Sequence, residues 1–219
     1  MDRRKIPDRR YLPDRRQFPR NTNDRRKARR RMEVFTYWGH VLAYADFEYN
    51  TTRLNERAIE IPIVRHWLQR EGSILEVGNV LGHYPDAPES AVVDRWEQAP
   101  GVLNIDVFDV TGSWDQVFAI STVEHVRWDE KPREAGGSVA AIEHLRSVLA
   151  PGGRLLVTIP TGWNDPLDEW LAAGMTGADR ACTLVRDGAH WRQTSEIQIL
   201  PYGGEAGWAE SLWVGEWSA

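Results

Sequence analysis

Residues 73–83, Ser73-Ile74-Leu75-Glu76-Val77-Gly78-Asn79-Val80-Leu81-Gly82-His83, constrain the fold of this chain more than any other stretch. A short apolar run ends beside an acid, Glu76, and passes at once into two glycines, Gly78 and Gly82, set four apart. The run reads as a strand, and glycines after the first strand of an open α/β sheet let the backbone approach a ligand closely. Taken alone, the same residues also suit a strand followed by an ordinary glycine turn.

Around this segment, strand and helix signals alternate. Strands are predicted at 73–77, 91–94, 102–106, 115–120 and 154–159, and helices at 55–70 and 134–149. The first helix has Asn55 as a candidate cap and sets Ile59, Ile63, Trp67 and Leu68 close to one face, with Pro62 inside it. The second carries Val139, Ile142, Leu145, Val148 and Leu149 and is broken by Gly152-Gly153. Strands separated by helical crossovers imply a mostly parallel sheet with both faces covered. The expected fold is therefore α/β: a Rossmann-like, doubly wound sheet with helices on both faces. Only seven residues separate the second and third strands, too few for a crossover helix, so either that helix is lost or one strand is misplaced. Beyond residue 160, a short helix at 168–173 and strands at 181–186 and 210–217 suit an antiparallel pair closing one edge of the sheet.

Three segments divide the 219 residues: a basic arm at 1–31, an aromatic-rich cap at 32–54 and the α/β domain at 55–219. The arm repeats Asp-Arg-Arg-x-apolar-Pro from Asp2, Asp8 and Asp14, and a further Asp24-Arg25-Arg26 follows. Prolines at this spacing disfavour helix, so the arm is expected to be extended and mostly disordered by itself. It carries twelve Arg and two Lys against four Asp, whereas the whole chain has a net charge of -5. The body is therefore acidic, which argues against a nucleic-acid surface there, while the arm could tether to an anionic partner such as nucleic acid or anionic lipid. No apolar run reaches membrane-spanning length and no signal-type segment opens the chain, so a cytoplasmic location is expected. The one cysteine, Cys182, cannot form an intramolecular disulfide, and the scattered histidines show no metal-ligand spacing, so no metal is expected.

Five motifs in order carry a family resemblance. They are Ile74-Leu75-Glu76-Val77-Gly78-x-x-x-Gly82, Val92-Val93-Asp94, Asn104-Ile105-Asp106, the segment 114–126 containing Ser121-Thr122-Val123-Glu124-His125, and Leu149-Ala150-Pro151-Gly152-Gly153. Together they resemble the class I S-adenosylmethionine-dependent methyltransferases, within which the last two look like the type 11 and small-molecule or saccharide-pathway members. The resemblance covers roughly residues 55–160. It implies S-adenosylmethionine as cofactor, with Glu76, Gly78, Asn79 and Gly82 at its methionine end, Asp94 on the ribose hydroxyls, Asp106 beside the adenine and Ser121 where methyl group and acceptor meet. Glu97 and Asp109 compete with Asp94 and Asp106. His125 is the candidate general base, with Glu124 to hold it or shape the acceptor pocket. The pattern departs from the family at Val80, where the usual Glu/Asp-x-Gly-x-Gly-x-Gly has its middle glycine.

The activity implied is methyl transfer to oxygen or nitrogen of a small-molecule or saccharide-type acceptor. Trp128, His190, Trp191 and the stretch 160–164 are candidates for the acceptor pocket. A noncatalytic scaffold with a decayed methyltransferase fold is the alternative that Val80 leaves open. A nucleic-acid methyltransferase using the arm is a third, although no Asn/Asp-Pro-Pro-Tyr/Phe sequence follows Ile120. Gly78-x-x-x-Gly82 does not match the dinucleotide fingerprint, and neither a phosphate loop nor a Gly-x-Ser-x-Gly elbow occurs.

Overall fold

Period-two alternation within the strands builds the sheet on which every candidate residue is mounted. The computed structural model describes residues 33–69, 71–204 and 207–219; the basic arm lies outside the described residues, as does the expectation attached to it. The strands are β1 (Val34–Tyr37), β2 (His40–Ala43), β3 (Ile74–Val77), β4 (Ala91–Val93), β5 (Val102–Leu103), β6 (Trp114–Ile120), β7 (Leu149–Pro160), β8 (Arg180–Asp187), β9 (His190–Thr194) and β10 (Ser211–Ser218). Three α-helices accompany them among the described residues: α1 (Arg57–Trp67), α2 (Gly137–Ser147) and α3 (Asp165–Ala172).

An eight-stranded sheet runs in the order β5-β4-β3-β6-β7-β10-β8-β9. It is parallel from β5 to β7, and β10 pairs antiparallel with both β7 and β8. Alternate residues serve opposite cores. Val117, Ala119, Leu155, Val157, Ile159, Trp213 and Trp217 face α2 and α3. Phe118, Ile120, Leu156, Leu212 and Val214 face α1 and the β1–β2 hairpin, whose Phe35 and Tyr37 are buried there. Helices thus cover both faces, as a Rossmann-like α/β sheet requires.

The cap position of α1 is Glu56 rather than the expected Asn55, whose Oδ1 accepts the Arg57 N–H at 2.9 Å from one residue ahead of it. Ile59, Ile63, Val64 and Trp67 bury its apolar stripe, while Leu68 falls just past its end. The ambiguous gap between β4 and β5 resolves as a lost helix, because residues 94–101 are a loop between two parallel strands. Several boundaries differ from expectation: β5 stops at Leu103 rather than 106, which leaves Asp106 in the loop beyond it, α3 starts at Asp165 rather than 168, and α2 starts at Gly137 rather than 134. Helix α2 ends at Ser147, and β7 begins at Leu149, which pairs with Trp114 across a bulge. Glycine is required in that bulge, since a Cβ on Gly153 would lie 2.6 Å from the Trp114 carbonyl oxygen. The late antiparallel pair is β8 with β10, and β9 adds an unpredicted hairpin strand at the edge. Its sequence, His-Trp-Arg-Gln-Thr, alternates too weakly to announce a strand.

Candidate functional site

Strands β3, β4 and β5 progress outward in one direction, whereas β6 lies on the other side of β3. The strand order therefore reverses between β3 and β6, and ligands of open α/β sheets bind outside the carboxyl ends of the strands at such a point. Three loops converge there: 78–83 after β3, 94–97 after β4 and 121–125 after β6.

Glu76 organises the first loop. Its Oε1 accepts the backbone N–H of Val80 at 2.8 Å and of Leu81 at 2.7 Å, and burial pushes the carboxyl up to about 7 against the pull of those two amides. Gly78 has φ +84°, and a Cβ there would lie 2.2 Å from Thr122 Oγ1, so the β3 loop and the β6 turn are seated directly on each other. A Cβ on Gly82 would meet Asn79 Oδ1 at 2.4 Å. Gly78 is thus demanded by its backbone and by close packing, whereas the crowding at Gly82 comes from the end of the Asn79 side chain. Val80, by contrast, has φ −105° and ψ −55°, an ordinary conformation for a branched residue. The missing middle glycine is not required by the path this loop takes.

Asn79 ties the loop to the acids after β4. Its N–H lies 3.4 Å from Asp94 Oδ2, and its Nδ2 donates to Glu97 Oε1 at 2.7 Å, an oxygen that also lies 3.0 Å from His83 Nε2. Asp94 Oδ1 caps its own turn, accepting the N–H groups of Trp96 and Glu97 at 2.8 and 2.7 Å. Oδ2 remains at the loop, with acceptor capacity beyond that one long contact.

Asp106 is placed differently. Its carboxylate meets Arg95 and Arg127, each at 2.9 Å, and caps the turn at Phe108. Glu130 closes a four-charge network with both arginines. Competing Asp109 lies one turn further, inside the short helix Val107–Asp109.

At the end of β6, Ser121 is held at φ +41°, a left-handed conformation that costs a non-glycine residue about 1–3 kcal/mol and collects at functional sites. Its Oγ donates to Glu60 Oε1 at 2.6 Å. His125 Nδ1 lies 2.6 Å from Asp129 Oδ2, and its Nε2 lies 3.3 Å from Glu124 Oε1. Nδ1 is thus held by a carboxylate, and Nε2 stands within ion-pair reach of a second. Trp163 packs edge-on against His125, donates its Nε1–H to Asp129 Oδ1 at 3.2 Å, and meets Tyr202 on its other side. Trp128 joins by donating to the Trp163 carbonyl. An aromatic rim therefore stands beside the β6 turn.

His190 and Trp191 do not reach this rim. They lie on β9, the outermost strand, beyond β7, β10 and β8 from the β6 turn. Asn164 is spent on capping α3 and on the Glu124 carbonyl. Three participants escaped sequence reading: Glu60, the Arg95–Arg127 pair, and Asp129. Glu60 left a signal, a lone acid within Ala58-Ile59-Glu60-Ile61-Pro62-Ile63-Val64, and lies fully buried on α1. Burial pushes its carboxyl up, opposed chiefly by Arg57.

No family model and no curated protein matches the chain, so the narrower likeness to type 11 members remains a resemblance. Solved structures similar to it include the N-methyltransferase NodS from Bradyrhizobium japonicum with S-adenosyl-L-homocysteine, at 15% identity and a TM-score of 0.40, covering 67% of this chain and 78% of that one. A SAM-dependent methyltransferase from Thermotoga maritima matches at 16% identity and a TM-score of 0.43, covering 70% and 85%. Magnesium protoporphyrin IX methyltransferase from Synechocystis, with bound SAM, matches at 14% and 0.38, covering 71% and 74%. Similarity at this level leaves the chemistry to be argued from this chain's own residues. Among the described residues, no helix is long and apolar enough to cross a membrane.

Proposed function

We propose that this protein binds S-adenosylmethionine at the β3–β6 reversal and transfers its methyl group to oxygen or nitrogen of a small-molecule or saccharide-type acceptor. The observation that carries this reading is the junction of the glycine loop with the acids after β4: Asn79 bridges to Asp94 and Glu97 at the carboxyl ends of adjacent parallel strands. The donor set suits the cofactor. Asp94 Oδ2 and Glu97 offer carboxylate acceptors for a ribose diol, and the loop fastened by Glu76 presents backbone groups to the amino-acid end. Asp106 serves the adenine end as the centre of the Arg95–Arg127–Glu130 network that walls it.

When bound, S-adenosylmethionine supplies an electrophilic methyl group on a sulfonium centre. The protein's task is then alignment of the acceptor, with proton removal only where the nucleophile needs it. The Ser121 turn and the rim of His125, Trp163 and Tyr202 perform that alignment. Asp129 holds the His125 ring through Nδ1 and Glu124 stands within ion-pair reach of Nε2, a geometry that suits positioning better than proton abstraction.

One observation favours a second reading, a noncatalytic binding protein: Thr122 and Asn79 already fill the space beside Gly78 and Gly82. Calorimetry separates the two. Titration with S-adenosylmethionine and S-adenosylhomocysteine to near-millimolar ligand should evolve heat; silence with both would remove the enzyme reading and leave the scaffold.

A further inference from the structure

Burying an ion pair is rarely more stabilising than packing apolar groups of the same volume. A buried Arg57–Glu60 pair, with Glu56 buried one turn before Glu60, therefore calls for a role beyond holding the fold. Its contacts point to one. Glu60 Oε1 accepts the Ser121 hydroxyl at 2.6 Å and the Thr158 hydroxyl at 2.7 Å, reaching from α1 to the carboxyl ends of β6 and β7 at once. The Ser121 N–H is held in turn by the Thr158 carbonyl at 3.0 Å. These bonds fix a residue whose backbone, at φ +41°, would otherwise relax toward the right-handed or extended regions. The next residue, Thr122, is the one seated on Gly78.

We propose that Glu60 is a positioning residue for the ligand site: through Ser121 it sets the β6 turn, and through Thr122 on Gly78 it sets the glycine loop. Helix α1 is thereby part of the site although Glu60 contacts no ligand. This rests on the cofactor reading above, and on the geometric chain Glu60–Ser121–Thr122–Gly78. Removing the Ser121 hydroxyl should loosen the loop with Glu60 still satisfied by Arg57 and Thr158.

The test is S-adenosylhomocysteine affinity by calorimetry, with melting temperature alongside, on the full chain and on Ser121→Ala, Glu60→Gln and the double variant. Each single change should weaken binding about tenfold, the scale of losing a hydrogen bond to a charged group. The double variant should bind no more weakly than the poorer single, because both act through one link. Additive losses would mean that Ser121 touches the ligand independently of Glu60, which overturns the proposal. A lowered melting temperature with unchanged affinity would reduce Glu60 to a structural role and overturn it equally. If Glu60→Gln fails to fold, Ser121→Ala with Thr158→Val forms the same cycle around the same carboxylate. Absence of binding by the unaltered protein would instead sink the cofactor reading itself, an outcome distinct from those two.

Discussion

The two halves of the sheet are built to different standards. On one side of the reversal, β6 has seven residues, β7 twelve and β8 and β10 eight each, and their side chains fill both cores. On the other side, β3, β4 and β5 shrink from four residues to three to two; in place of α-helices, the β3–β4 and β5–β6 connections carry short 3-10 turns and the β4–β5 connection is a loop. Leu103 is 55% exposed and Trp96 is 72% exposed on that side. Almost all the candidate ligand chemistry lies on the thin side or on the seam. Cooperative stability thus comes from the long strands, which leaves the short ones free to carry acids and glycine turns at low local stability.

The largest expected effect lies in the thick half. Trp213 is fully buried against Trp217, and it crosses Gly215 so closely that a Cβ there would be 2.0 Å from its ring. Trp213→Ala should cost about 4 kcal/mol in denaturant unfolding; a loss under 1 kcal/mol would erase the contrast between the halves. At the seam, Glu76 titrates near 7 in the folded protein, well above the unfolded carboxyl. The folded state therefore holds an extra proton between those values, so stability falls as pH rises through this window and levels off above it, by about 3 kcal/mol in all. Glu76→Gln cannot ionise and should flatten that part of the stability–pH curve. An unchanged slope would show that the group's environment is misjudged.

In the thin half, Asp94→Ala removes the acceptor of two turn amides and should cost about 1 kcal/mol of stability. The same change should weaken S-adenosylhomocysteine binding about tenfold by calorimetry, and unchanged affinity would strike Asp94 from the ribose site. Trp96→Ala should move stability by less than about 0.5 kcal/mol. A larger loss would mean that the thin half has a core of its own.

How much of this was legible beforehand depended on range. Glu76, Gly78 and Asp94 are placed by strand ends, and strand ends are local patterns of apolar runs and turn residues. Asn79 stood beside them in the motif, but its bridge to Glu97 spans 18 residues and leaves no mark in either segment. Asp106 was legible as an acid after a strand, whereas its capture by Arg95 and Arg127 was not. Strand β9 was missed because a five-residue edge strand has too little period to read. The lost crossover helix was half legible, since the seven-residue gap already forbade it.

By itself, then, the sequence determined the α/β class, the strand series from β3 to β7 and the acids at their ends, because these follow from periodicity and from turn chemistry within a few residues. Only the tertiary structure decided what the acids do. A carboxylate's role is set by the donors that fold against it: loop amides for Glu76, arginines for Asp106, buried hydroxyls for Glu60. Those donors arrive from segments far along the chain, and neither spacing nor composition specifies which of them arrives.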